Sequence, residues 1–454
     1  MKKISIYLAT LLIIISMVLI PTLAGCKKTT ETVETTTAGE TTTAGEEIII
    51  NTWDKAGPQN TLLRGCFDLY TKEHPNVKFN VTTFEPQNLK DTVPMALASS
   101  SKEVDLLWFW GHSEGKPFGV KGLLIDLTPY YEKYNWKDKL NKGVQEELTS
   151  SDGKVYFQST DFVIYSIQFY NKAIFKEAGA EIPNTLEDLF TMSQKIKAAG
   201  YDTWALGNKD KWPMRQIAEG LELRFLPEDV HAALAHWAFY SPEEKKKNLE
   251  LFKNPGFLDI FKFLKRMADE KVFIEGFNTL DDGQGRVNFT EGKAAIYSSG
   301  IWSVSAIRTA APNMDFGYFY LPTYEGRTSN VSNYADAMTI PAYVTGAKLE
   351  ACIDFLDSLL KPEYAVKAYQ AGIVPSSITV SQKDIEANAD PIIANIVKDT
   401  QELGGTLTLA MAWPLEMALV GFDEACQGVT DGTMTPEQAV EFVVQKAQED
   451  IEGQ

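Results

Sequence analysis

One pentapeptide carries the residue types of a nucleophile, Gly111-His112-Ser113-Glu114-Gly115. A serine between glycines at that spacing, after a run that reads as a strand, matches the elbow of a hydrolase. That chemistry also needs a helix directly after the turn, and then an acid and a histidine further along. Here Lys116-Pro117-Phe118-Gly119 follows and reads as a loop. The later histidines are His231 and His236, in a helical stretch, and nothing after them can serve. A serine hydrolase is not expected. His231 and His236 are five apart, so on a helix they do not share a face as a metal pair would. No phosphate-binding loop and no dinucleotide fingerprint occurs, so neither metal nor cofactor is expected. Carboxylates are easy to pair in a chain with 61 acidic residues, and a glycoside hydrolase stays open as an alternative on that ground alone. What stands out is a set of Trp and Tyr at the ends of predicted elements, rings suited to stacking.

The elements that would position them belong to a chain of 454 residues, too long for one ordinary core, so two domains are expected. A formal charge of −18 argues against nucleic-acid binding, which needs a basic patch. Lys2-Lys3, the apolar run Ile4 to Ile20 and Leu23-Ala24-Gly25-Cys26 read as a secretory leader over 1–25. Its ending resembles the bacterial lipobox, which implies that Cys26 becomes the lipid-modified first residue, anchored on the outer face of the cell membrane. Removing 1–25 takes two lysines and no acid, moving the charge to −20. Residues 26–47, rich in Thr and Glu with TTTAGE twice, make a tether. Cys66, Cys352 and Cys426 are too widely spaced for a disulfide framework and read as buried thiols, with one bridge at most.

From Ile48 the pattern alternates. Ile48–Ile50 reads as a strand ending at Asn51-Thr52-Trp53-Asp54, residues 60–73 as an amphipathic helix, and 77–84 as a second strand. A helix over 89–99, a strand over 104–110 and the run 122–127 follow, and the class is α/β. Gly153–Lys172 holds a short strand, Lys154–Phe157, then the polar step Gln158-Ser159-Thr160-Asp161. After it comes a run with Val163, Tyr165, Ile167 and Phe169 on one face. Thr185 and Asp188 form a capping box for the next helix, residues 213–275 read as mostly helical, and 338–343 as a strand. Thr435, Pro436 and Gln438 open the last helix.

In order, these pieces resemble the extracellular solute-binding proteins of ABC importers, in the branch typified by maltose- and oligosaccharide-binding proteins. The resemblance covers about 48–454. It rests on Phe67…Tyr70…His74-Pro75-Asn76-Val77, Val104-Asp105-Leu106-Leu107-Trp108 and Phe169-Tyr170-Asn171-Lys172. Phe289-Thr290-Glu291-Gly292…Gly300-Ile301-Trp302 and Ala371-Gly372-Ile373-Val374-Pro375 complete it. It implies a two-lobed periplasmic-binding-protein-like fold with hinge-crossing segments and a ligand cleft. One lobe is expected from 48–158 plus 334–374, the other from 159–333 plus 375–454. The implied role is capture of a carbohydrate without catalysis by a monomer, and its delivery to the permease of an ABC transporter. A non-sugar solute is the other alternative.

For the site, the resemblance points to Trp302, to Trp53 and Asp54 past the first strand, and to Trp413 with Glu416. Trp108 and Trp110 alternate on one strand and share a face, with His112 and Glu114 as possible polar partners. Trp212 and Arg215 stand at a helix start, and Tyr334 and Asp336 precede the strand at 338. Asp161 lies in the central polar step, where the first hinge crossing is expected over Gln158–Phe162. Where the maltose-binding pattern has a carboxylate in the central stretch, this chain has Val163-Ile164, a departure from maltose itself.

Overall fold

The computed structural model describes residues 46–453, apart from residue 100, residues 142–143 and residues 326–330. The leader, Cys26 and nearly all of the tether lie outside the described residues. Among the described residues ten strands follow in order: β1 (Ile48–Lys55), β2 (Val77–Phe84), β3 (Leu106–Phe109), β4 (Gln158–Ile164) and β5 (Ile167–Asn171). Then come β6 (Asp202–Ala205), β7 (Ala294–Ser299), β8 (Phe316–Phe319), β9 (Val331–Thr339) and β10 (Gly405–Leu407). They make two sheets. The first runs β10-β9-β3-β1-β2, with β4 on the other edge of β9, and the second runs β6-β7-β5-β8.

In the first sheet β1 is parallel to β2 and β3, each joined through a helix, and β9 returns antiparallel. The helix Pro58–Glu73 buries Leu62, Leu63, Cys66, Phe67 and Tyr70 against β1 and β2, and Phe67 meets Phe79 and Phe355 in ring contact. Both faces of the second sheet carry apolar clusters. One holds the helix Pro255–Asp269, whose Phe257, Ile260, Phe261, Leu264 and Met267 recur at helical spacing. The other holds Ile307, Ile393 and Ile396. The predicted caps form: Thr185 and Asp188 exchange hydrogen bonds, as do Thr435 and Gln438. Cys66, Cys352 and Cys426 are buried and unbridged.

Several expected boundaries shift. The polar step Gln158–Asp161 is not a break but the start of β4, paired with β9 from Met338 to Asn333. Its polar side chains find partners inside, so polarity there does not mean exposure: Ser159 bonds Ser376, and the Thr160 hydroxyl donates to Asp161 at 2.6 Å. The chain leaves the first sheet later, at Tyr165-Ser166, between β4 and β5. Ser166 takes the left-handed conformation, φ 58°, and its N–H donates to Gln216 Oε1 at 3.0 Å. The late strand starts at Val331 rather than 338, so Tyr334 and Asp336 lie within it. Trp53 and Asp54 lie within β1, not beyond it. Residues 122–127 contribute only one isolated bridge, Leu124 to Pro341. Lys116–Val120 is a short helix where a loop was expected, because Pro117 is tolerated in a first turn.

Candidate functional site

Two groups of aromatic side chains lie at the first sheet and along the crossing to the second. Trp108 in β3 and Trp110 just beyond it stand edge to face, centroids 4.9 Å apart. Tyr334 in β9 has the His112 ring edge-on at 5.6 Å and the Tyr165 ring at 5.6 Å. Tyr165, at the crossing, is 5.7 Å from Trp302, and Trp302 is 6.4 Å from Trp212. Trp302 closes β7's exit and precedes the helix Ser303–Ala310, while Trp212 opens the helix Trp212–Phe225. Both are half-buried. The other five rings, Trp108, Trp110, His112, Tyr165 and Tyr334, are buried.

Gly300 explains how Trp302 lies where it does. A Cβ at residue 300 would fall 1.8 Å from the edge of the Trp302 ring, so the indole rests on a backbone that only glycine leaves bare.

Carboxyl groups and ammonium groups are interleaved with these rings. Asp161 and Asp336 are register partners on β4 and β9, next to a register shift, and each is 1 % exposed. Gln59 Nε2 donates to both, at 3.3 and 3.5 Å. Lys55 Nζ is 4.0 Å from Asp336 and lies over the Trp108 ring at 4.4 Å. Lys90 lies over Trp110 at 4.5 Å and pairs with Glu114 at 2.6 Å. Burial raises the Asp161 carboxyl, and burial together with the charge of Asp161 holds Asp336 well above the usual carboxylate range. Two carboxyl groups placed like this resist ionising together. Burial, with Lys90, Lys116 and Arg215 nearby, keeps His112 well below its ordinary range and hence neutral. Ser113 Oγ approaches His112 Nδ1 only to 3.5 Å, and Lys90, Lys116 and Arg215 act on that imidazole. A hydrolytic triad requires an acid there instead.

Behind Tyr165 lies a second charged group. The helix Trp212–Phe225 presents Arg215, Glu219 and Glu222 one and two turns apart, all buried. Arg215 grips Asp423 in two hydrogen bonds, Nε to Oδ1 at 2.9 Å and Nη2 to Oδ2. Burial raises both glutamates, Glu222 further because Glu219 is beside it.

The expected residues divide accordingly. Trp108, Trp110, Asp161, Trp212, Trp302, Tyr334 and Asp336 come together, and Arg215 stands behind them in its bond to Asp423. Trp53 packs on Phe84 at 5.0 Å within the first core, to which Trp108 and Trp110 also belong, and Asp54 lies on the opposite face of β1 from Lys55, bonded to Asn60 at 2.7 Å. Trp413 is 0 % exposed, its N–H donating to the Leu234 carbonyl at 3.0 Å and its ring against Phe252 and Phe422. Its place is the core. Glu416 is exposed and 3.8 Å from Lys446. Sequence reasoning missed Lys55, Gln59, Lys90, Tyr165 and Glu219. The one available signal was polar residues recurring at 215, 219 and 222 along a buried helix.

The family described as bacterial extracellular solute-binding protein matches residues 66–395. The chain belongs to this family. This solute-binding protein is 24 % identical over 327 residues to an ABC transporter extracellular-binding protein of Pyrococcus horikoshii, covering 70 % of this chain and 69 % of that one. It is 25 % identical over 154 residues to the multiple sugar-binding protein of Streptococcus mutans, 34 % of this chain and 35 % of the relative. Among solved structures it resembles a chitin oligosaccharide binding protein, TM-score 0.75 at 20 % identity, over 90 % of this chain and 100 % of that one. It also resembles a maltose/maltodextrin-binding domain from Bdellovibrio bacteriovorus bound to maltotriose, TM-score 0.68 at 19 % identity, over 89 % and 100 %. These likenesses establish the two-domain fold of periplasmic sugar-binding proteins. Among the described residues of this solute-binding protein, no helix is long and apolar enough to cross a membrane, and no cluster of His, Cys, Asp or Glu is arranged to hold a metal.

Proposed function

We propose that this protein captures an oligosaccharide between its two sheets, without catalysis, and delivers it to the permease of an ABC importer. The observation that carries this reading is the rings together with the unmet polar atoms set among them. Trp108 Nε1, His112 Nε2, Glu114 Oε2 and Asp336 Oδ1 are buried without a hydrogen-bond partner. Folded proteins leave few such atoms, because each costs about 1–3 kcal/mol. A sugar supplies what the group lacks: apolar ring faces to stack on indoles, and hydroxyls that both donate and accept. Sugar-binding proteins among the relatives support the same reading.

The binding set we propose is Trp108, Trp110, His112, Glu114, Asp161, Trp212, Trp302, Tyr334 and Asp336, with Tyr165 added. The lobes follow the two sheets, with the first crossing at Tyr165-Ser166. Lipid on Cys26 would hold the protein outside the membrane, and a tether of 26–47 would let it reach a permease. A thermal-shift screen of neutral oligosaccharides tests the reading, since a ligand bound only by the folded state raises Tm. A rise with at least one sugar, and no release of product from it, is the expected outcome. No shift across a broad panel would refute the carbohydrate ligand, and turnover of a bound sugar would refute the absence of catalysis.

A further inference from the structure

The turn Gly111–Gly115 is packed more closely than an ordinary surface loop. A Cβ at Gly111 would fall 2.7 Å from Leu148, and one at Gly115 would fall 2.3 Å from the Trp110 carbonyl oxygen and 2.5 Å from the Phe157 ring. The His112 carbonyl accepts from the N–H groups of Gly115 and Lys116, at 3.2 and 3.0 Å. The short helix Lys116–Val120 is pinned in turn. Phe118 meets the Phe109 ring at 6.1 Å, and a Cβ at Gly119 would fall 2.2 Å from the Tyr156 ring. All of these partners belong to the core of the first sheet, so the backbone that carries Lys116 is fixed there.

The Lys116 side chain ends elsewhere. Its Nζ lies over the Phe239 ring, 5.0 Å from the centroid. Phe239 closes the 3-10 turn Trp237–Phe239, and Trp237 is buried in a core of the second sheet. The Trp237 ring stands against Phe252, and its N–H donates to Asp450 Oδ2 at 3.0 Å. The contact therefore joins an element fixed on one sheet to an element fixed on the other. Both residues are half-buried. The acid that acts on Lys116 is Glu147, through its charge, and Glu147 Oε1 is occupied by the Ala335 N–H at 2.8 Å. A partly desolvated ammonium group without a carboxylate bonded to it is stabilised by an aromatic face. Separating the sheets would return Lys116 to water and uncover the ring.

We propose that Lys116 and Phe239 form a clasp between the two lobes, which favours their closed arrangement through the protein's own side chains. The clasp goes beyond the binding reading above, since it needs two lobes but no particular solute. It also gives the Gly111–Gly115 turn a task, which is to hold the lysine in place. A half-buried cation–π contact is worth about fivefold in the ratio of closed to open molecules.

Electron–electron double resonance on the purified, dialysed protein tests it, with spin labels on Lys78→Cys and Lys246→Cys, exposed positions on the two sides. Cys66, Cys352 and Cys426 are buried. No sugar is added, so failure of the carbohydrate reading leaves this test intact. The expected result is a shorter-distance population whose ratio to the longer one falls about fivefold in Lys116→Met and in Phe239→Leu. Lys116→Arg keeps the cation and should stay near the unsubstituted ratio. Lys116→Met/Phe239→Leu should fall no further than either single variant, because the same contact is lost in all three. The Met and Arg variants of Lys116 decide the matter alone if Phe239→Leu does not fold. Absence of the shorter distance, an unchanged ratio in Lys116→Met, or effects that simply add in the double variant would each overturn the clasp.

Discussion

Gly300→Ala should act on Trp302 without acting on the backbone. A Cβ at that residue meets the indole at 1.8, 2.3 and 2.4 Å, at three atoms of its six-membered ring. Carbon atoms rest comfortably at about 3.5–4.0 Å, so the ring edge must retreat by about 2 Å. Gly300 is not among the glycines with positive φ, so alanine brings no dihedral strain there. The half-buried indole has room to swing outward, away from Tyr165 and Trp212, now 5.7 and 6.4 Å from it. The folded state then loses one aromatic contact, worth about 1 kcal/mol. A sugar that stacks on the indole loses a comparable amount, which is about fivefold in affinity. Titration with whichever neutral oligosaccharide raises Tm, run beside Trp302→Ala, measures it. Trp413→Ala provides the contrast: its ring is core, so stability should fall by about 3–5 kcal/mol while the folded fraction binds as before. Wild-type affinity in Gly300→Ala would show that the Trp302 ring does not touch the ligand.

Two further perturbations probe the buried charges. Arg215→Met strips Asp423 of its partner beside Glu219 and Glu222 and should cost about 3–5 kcal/mol in chemical denaturation, with Arg215→Met/Asp423→Leu recovering most of it. An unchanged midpoint in the single variant would mean that the pair contributes nothing. Burial pushes His231 down to about 4 from its ordinary 6.5, so the unfolded chain binds a proton over a range where the folded one does not. Its contribution is present in full above pH 6.5 and falls away between 6.5 and 4, by about 3 kcal/mol in all. Stability measured across that range should lose this dependence in His231→Gln, and an identical slope in the variant would be the contrary result.

Local signals in the chain were readable where one segment alone decides the outcome. The helix Pro255–Asp269 follows from apolar spacing, and the last helix from Thr435, Pro436 and Gln438. Signals failed where the deciding partner is far away in sequence. Gln158–Asp161 looks like a loop because it is polar, yet its partners are Asp336 and Ser376, some two hundred residues on. Trp413 and Trp302 cannot be distinguished by residue type. One is enclosed by Phe252 and Phe422 and the other lies on Gly300, and only packing separates them. Glu219 and Glu222 would be assigned to a solvated face by composition, but Arg215 and Asp423 draw that face inward.

The crossing itself joins binding to movement. β4 belongs to the first sheet and β5 to the second, and only Tyr165 and Ser166 lie between them. A rotation of one sheet against the other must be taken up partly in those two residues, because the paired strands on either side resist bending. Ser166 already holds a positive φ that serine adopts only at some cost, and its N–H is tied to Gln216 on the helix that begins at Trp212. Tyr165 stands between the rings of Tyr334 and Trp302, one associated with each sheet. Turning at this bend therefore changes the spacing of the very rings that would hold a sugar. A ligand that favours one spacing favours one angle between the sheets, which is how binding free energy becomes closure.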